Sequence, residues 1–173
     1  MLSNSNLIFN CKVFVFNALT NSQIHSPPNF SLIYTDVTKK ATKIAFNAHR
    51  GQTDRAGIDY VNHPLHLAEQ METESETCAA LLHDVVEDSD WTIEMLAAEG
   101  IPNDALEAIK LLTHKEGIPY MKYVESLKDN KIARKVKLAD LAHNSDLSRL
   151  PEVSEKDRAR AGKYSEAIEL LSS

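Results

Sequence analysis

A chain of 173 residues, 43% hydrophobic and 25% charged, has the size and composition of one globular domain with a single core. Its net charge of −6, from 19 basic and 25 acidic residues, argues against a broad nucleic-acid-binding surface and leaves only a local basic pocket for a small phosphorylated ligand. No stretch is long or apolar enough to cross a membrane, and Cys11 and Cys78 show no disulfide or metal spacing, so a reduced, cytoplasmic protein is expected.

Residues 1–35 are rich in Asn and Ser, include "SPPN" at 26–29 and lack a helical period. They are expected to form an irregular or poorly ordered N-terminal extension. Its apolar run "LIFNCKVFVFNAL" is interrupted by Asn10 and Lys12, without a basic start or a clear cleavage site, and is not read as a signal peptide. From Asp36 the texture turns helical. Thr35 or Asp36 caps a first helix that Gly51 stops, and a loop over 51–62 leads to a second helix with Pro64 in its first turn. A third helix is expected to run unbroken over 74–88. Shorter ones follow over 90–100, 102–113 and 119–128, then a long one over 130–150. Ser154 and Asp157 form a capping-box pair that opens the last helix, which runs to Leu171. With no alternating segment of useful length, residues 36–173 read as one all-α helical bundle.

The chemistry starts at "LLHDVVEDSD", residues 81–90. An apolar helix here gathers Asp84, Glu87, Asp88 and Asp90 toward its C-terminal end, where the backbone dipole is already negative. Helical spacing puts Asp84 over Asp88 and His83 over Glu87. Clustered carboxylates repel unless a proton or a cation balances them, and a divalent metal suits imidazole with carboxylate. On this segment alone, acids that simply face water at a helix end are the favoured account of the pattern. His63 at a loop-to-helix junction and Asp140 on an apolar helix face, where an acid needs a partner, would complete a four-ligand set.

The order His63…His83-Asp84…Asp140 resembles the signature of the HD-domain metal-dependent phosphohydrolases, an all-α superfamily. More narrowly, "AHRGQ", "YVNHP", "AALLHDVVEDS" and "VKLADLAHN" resemble the hydrolase domain of RelA/SpoT homologues, above all the small stand-alone alarmone hydrolases. That resemblance implies His63, His83, Asp84 and Asp140 as ligands of one metal, usually Mn²⁺. It implies Glu87 and Asp88 as the pair that positions and deprotonates the attacking water, and Asn144 as a nucleotide contact. The implied reaction removes the 3′-pyrophosphate of ppGpp or pppGpp. The implied partner is therefore a small nucleotide, with no nucleic acid or membrane; a homo-oligomer stays open.

The chain departs from the pattern at Asp54, where relatives carry a basic residue, and at Asp146, which replaces an Arg. Both touch substrate recognition, so a phosphohydrolase acting on another nucleotide, or a sensor that binds without turnover, stands as the alternative. Arg55 is the expected phosphate contact. Lys137 reads as a lysine whose stem packs at the core edge, Lys115 as surface charge and His49 as a structural hydrogen-bonding residue. His66 reads as an exposed helix residue, His143 as pointing away from the Asp140 face, and Trp91 as a lid over the helix end.

Overall fold

The computed structural model describes residues 32–173. In that range the chain forms α1 (Asp36–Ala48), α2 (Asn62–Ala68), α3 (Glu74–Leu82), α4 (Val85–Asp88), α5 (Ile93–Ala98), α6 (Asn103–Leu112), α7 (Tyr120–Ser126), α8 (Lys131–Ser145) and α9 (Glu155–Ser172), with a 3₁₀ turn at Leu147–Arg149. No strand occurs among the described residues, only one isolated bridge between Thr53 and Asp59. The all-α expectation holds. The sequence expectations for residues 1–31, Cys11 included, lie outside the described residues; Leu32, also assigned to the extension, packs against the core.

Local signals set the helix ends. The Thr35 hydroxyl accepts the Thr38 amide at 3.1 Å while the Thr35 amide donates to the Thr38 hydroxyl at 2.8 Å, a reciprocal cap. After α1 the chain reverses at Gly51, whose φ of 78° lies in the left-handed region that an L side chain rarely enters.

α3 lies at the centre, packed against α1, α2, α6 and α8. Its run Thr77–Leu82 is buried on every side, as a helix without a polar face must be. Ala79 and Ala80 let neighbouring helices approach. Leu81 and Leu82 fill the space between them, each burial stabilising the fold by roughly 1.5–3 kcal/mol. Cys78 is a buried free thiol whose pKa burial pushes up to about 12, so it stays protonated.

The single helix expected over 74–88 is two. α3 stops at Leu82, and α4 starts afresh at Val85. The cause is local: the His83 ring donates its Nδ1 proton to the Ala80 carbonyl at 2.9 Å, taking the acceptor that a continuing helix would offer to the Asp84 amide. The Asp84 carbonyl then accepts the Glu87 and Asp88 amides at 3.1 and 2.9 Å, starting a new turn. Glu87 and Asp88 therefore belong to the single turn of α4 and Asp84 to its N-cap, rather than to the C-terminus of α3.

Candidate metal centre

Three elements converge on one buried point. His63 comes from α2, His83 from the junction after α3 and Asp140 from the middle of α8, at 5%, 3% and 6% exposure. One ligand atom of each lies within 4.8 Å of the others. His63 Nε2 is 3.2 Å from Asp140 Oδ1, and His83 Nε2 is 2.9 Å from Asp84 Oδ2. Asp84 thus stands beside the trio, and its Oδ2 also accepts the hydroxyl of Tyr60.

Hydrogen-bond accounting tests whether a cation fits. A carbonyl only accepts, so His83 Nδ1 carries the proton and Nε2 holds a lone pair if the ring is neutral. That Nε2 is buried without an aligned hydrogen-bond partner, although a carboxylate lies 2.9 Å away. A lone pair facing a carboxylate repels it unless a positive charge sits between them. Two imidazoles and the Asp140 carboxylate form a donor set suited to a divalent metal, with the Asp84 carboxylate beside His83, and these residues fit one.

A proton can meet the same electrostatic demand. Burial opposes the His83 imidazolium, but the charges of Asp84 and Asp140 outweigh it and raise the pKa to about 9. For Asp84, burial is outweighed by the charge of His83 at 2.9 Å, with the Tyr60 hydroxyl donating to it as well, leaving it at about 2. Asp140 is buried too, yet Lys137 and the two histidines hold it well below the ordinary carboxylate range. Lys137 Nζ lies 2.8 Å from Asp140 Oδ2. Its ammonium therefore belongs to the centre, and packing of its stem at the core edge is not its whole role.

The other expected residues surround this point. Glu87 is exposed, and its Oε2 accepts the His114 amide at 3.1 Å. Asp88 is exposed at the end of α4, its pKa raised by partial burial and by the charge of Asp84. Asn144 Nδ2 donates to Asp140 Oδ1 at 2.5 Å, one turn along α8. Arg55 forms an ion pair with Asp157, near the start of α9. Arg55, Asn144, Tyr60 and His63 all line a cleft of about 270 Å³ that also takes in Arg149 and Arg160.

Several of these contacts are invisible to one-dimensional spacing. Tyr60 precedes His63 by three residues, a tyrosine with no period to mark it. His143, expected to turn away, places its Nδ1 2.7 Å from His63 Nδ1. His49 donates Nδ1 to Gln52 Oε1 at 2.8 Å, as expected of a structural histidine, and packs against Tyr60 with ring centroids 4.9 Å apart. His66 is exposed, as expected, and its ring lies 4.5 Å from that of His143. Asp54, at the position where a basic residue was missed, accepts the Ala56 and Ile58 amides at 2.8 and 2.9 Å and pairs with Arg149 at 2.7 Å. Asp146 caps the 3₁₀ turn by accepting the Ser148 amide at 3.0 Å.

No family model matches the chain. Individual relatives do. A probable GTP pyrophosphokinase of Mycobacterium leprae is 30% identical over 139 residues, which is 72% of this chain and 17% of that protein. The bifunctional (p)ppGpp synthase/hydrolase SpoT of Escherichia coli is 32% identical over 120 residues, 61% of this chain and 17% of that one. The chain thus spans about a sixth of the length of these curated relatives. Among solved structures, a metazoan ortholog of SpoT, described as hydrolysing ppGpp with a role in starvation responses, superposes with a TM-score of 0.67 at 22% identity. The match covers 82% of this chain and 88% of that chain, and shows the same fold. The sequence comparison carries the resemblance to SpoT-type proteins, and the structural one shows the shared fold.

Proposed function

We propose that residues 36–173 form an HD-type phosphohydrolase domain that removes the 3′-pyrophosphate of ppGpp or pppGpp, leaving GDP or GTP. His63, His83, Asp84 and Asp140 would hold one divalent metal, Mn²⁺ in this reading. A metal bound there would supply Lewis acidity to a phosphoryl oxygen and lower the pKa of water. The observation that carries the proposal is the meeting of two buried imidazoles and the Asp140 carboxylate, with Asp84 2.9 Å from a His83 Nε2 that has no aligned partner.

The chain's own groups have separable roles. Asp88, its pKa raised by partial burial and by Asp84, is moved in the direction that makes a carboxylate a better proton acceptor near neutral pH. Glu87, held by the His114 amide, orients the water or shares its proton. Tyr60 stays protonated because burial and the Asp84 charge both disfavour its phenolate, so it serves as a fixed donor to Asp84. Arg55 and Asn144 face the cleft where a phosphorylated nucleotide would lie, with Arg149 and Arg160 beside them. Water oxygen bonds to the phosphorus attached to the ribose 3′-oxygen as that P–O bond breaks, and the 3′-oxygen takes up a proton to leave the nucleotide with a 3′-hydroxyl beside free pyrophosphate.

Purified protein supplied with Mn²⁺ and ppGpp is expected to release pyrophosphate, and Glu87→Gln to bind Mn²⁺ normally while turnover falls by about 10²–10⁴. Absence of pyrophosphate from the wild type under prolonged incubation would refute the alarmone reading. One observation favours a different nucleotide: Asp54, where the resemblance implies a basic residue, is an acid that engages Arg149 at 2.7 Å. A metal-supplemented panel of alarmones, nucleoside phosphates and cyclic nucleotides decides between the two. Binding without any hydrolysis across that panel would leave the sensor reading.

A further inference from the structure

We propose that His49 and Gln52 are positioning residues for the reaction: together with Tyr60 they clamp the single turn α4 at both ends and so fix where the Asp88 carboxylate stands. The inference rests on the reading of Asp88 as a proton acceptor and deepens it by naming what holds that group in place.

α4 has little to hold itself. It spans only Val85–Asp88, far below the length at which a helix is stable alone, and its last carbonyls have no following turn to bond them. The loop after α1 supplies the missing bonds. Gln52 Nε2 donates to the Asp88 carbonyl at 3.3 Å. At the other end of α4, the Tyr60 hydroxyl donates to Oδ2 of the N-cap residue Asp84. The two anchors are tied to each other, since the Tyr60 amide donates to the Gln52 carbonyl at 2.9 Å.

His49 sets the direction of the Gln52 amide. A backbone carbonyl only accepts, so the Gln52 nitrogen must face Asp88 and its oxygen must turn the other way. That oxygen lies 2.8 Å from His49 Nδ1 and, being an acceptor, requires the proton there. The ring is 3% exposed and packs against Tyr60, which restricts its rotation. Its Nε2 has no hydrogen-bond partner among the described residues, so the Gln52 contact is what orients the imidazole. The chain His49–Gln52–Asp88 runs from a buried ring to the end of α4 with every donor matched to an acceptor. Reversing the Gln52 amide would set oxygen against carbonyl and NH₂ against N–H.

Gln52 is partly exposed, so its variants can be compared as folded full-length protein. Gln52→Met keeps the reach of the side chain and removes both bonds; Gln52→Glu keeps an acceptor for His49 and removes the donor to Asp88. With Mn²⁺ and ppGpp, both are expected to lower kcat by about 10- to 100-fold, the upper figure being that of a misplacement of about 1 Å. KM and the Mn²⁺ affinity measured by calorimetry are expected to stay at wild-type values. His49→Leu is expected to lower kcat in the same way, and His49→Asn, which keeps an N–H donor close to the Nδ1 position, to restore most of it. In metal-free protein the Asp88 carbonyl ¹³C resonance is expected to move in both Gln52 variants. Wild-type kcat in Gln52→Met, or a fall in kcat matched by an equal loss of Mn²⁺ affinity, overturns the positioning role. An Asp88 carbonyl resonance unmoved by Gln52→Met defeats the clamp itself, whereas a wild type that releases no pyrophosphate defeats the proposed reaction.

Discussion

Asp140 is the residue on which most of the centre's charge turns. It is buried, and its two oxygens meet His63, Asn144 and Lys137. Lys137 is itself 15% exposed, its ammonium 5.5 Å from the centre of the Tyr123 ring, and Asp140 is the carboxylate it bonds. Removing one member of such a pair strands the other charge in a poorly solvated place. Asp140→Asn is therefore expected to lose about 3–5 kcal/mol of unfolding free energy in urea titrations, even after relief of its repulsion with Asp84. A loss below about 1 kcal/mol would mean that Lys137 finds another partner. The sequence marked Asp140 because an acid on an apolar helix face demands explanation. It marked Lys137 only as amphipathic, since nothing in the spacing told which way the ammonium turns.

At the scale of elements, helix ends control the site. α3 stops at Leu82, which leaves Asp84 beside His83 and Tyr60, and one imidazole-to-carbonyl bond takes the acceptor that a continuing helix would use. This break was not legible in "CAALLHDVVED", which has the apolar content of one helix and no Gly or Pro to punctuate it. The start of α9 is the opposite case. "SEKD" announced a capping box, and Ser154 donates to Asp157 Oδ2 at 2.5 Å and accepts its amide at 3.3 Å. The same Asp157 meets Arg55 and, at 3.7 Å, Arg160. Ser154→Ala is expected to cost about 1 kcal/mol in thermal or urea unfolding, and to weaken substrate binding by loosening Arg55 in the cleft. Unaltered stability would show that Asp157 holds the turn by itself.

Over the whole molecule, the centre ties α2, the α3–α4 junction and α8 together, while the apolar core around α3 is continuous without it. A metal that binds the folded state alone is expected to raise the midpoint of thermal unfolding, adding about 2.7 kcal/mol at a hundredfold excess over Kd. Chelation should lower the midpoint without abolishing the helical transition. The gain depends on pH. In metal-free protein His83 sits at about 9 rather than 6.5, so its protonation stabilises the fold fully below pH 6.5, and that contribution is lost as pH rises through about 9. A metal needs the neutral ring, so its uptake releases this proton and apparent affinity should rise between pH 6.5 and 9. Equal Mn²⁺-induced shifts at pH 6.5 and 8.5, with no proton release in calorimetry across buffers, would show that His83 is not a ligand. Composition, caps and helical periods, all short-range properties, determined the all-α class and most helix limits. The likeness of four short motifs to known hydrolases singled out the histidines and acids. What only the tertiary structure decided is which polar groups meet: Tyr60 with Asp84, Lys137 with Asp140, His143 with His63, and Arg149 with Asp54. Such meetings depend on how helices far apart in sequence pack, and packing follows from the apolar faces rather than from the polar residues that end up in contact.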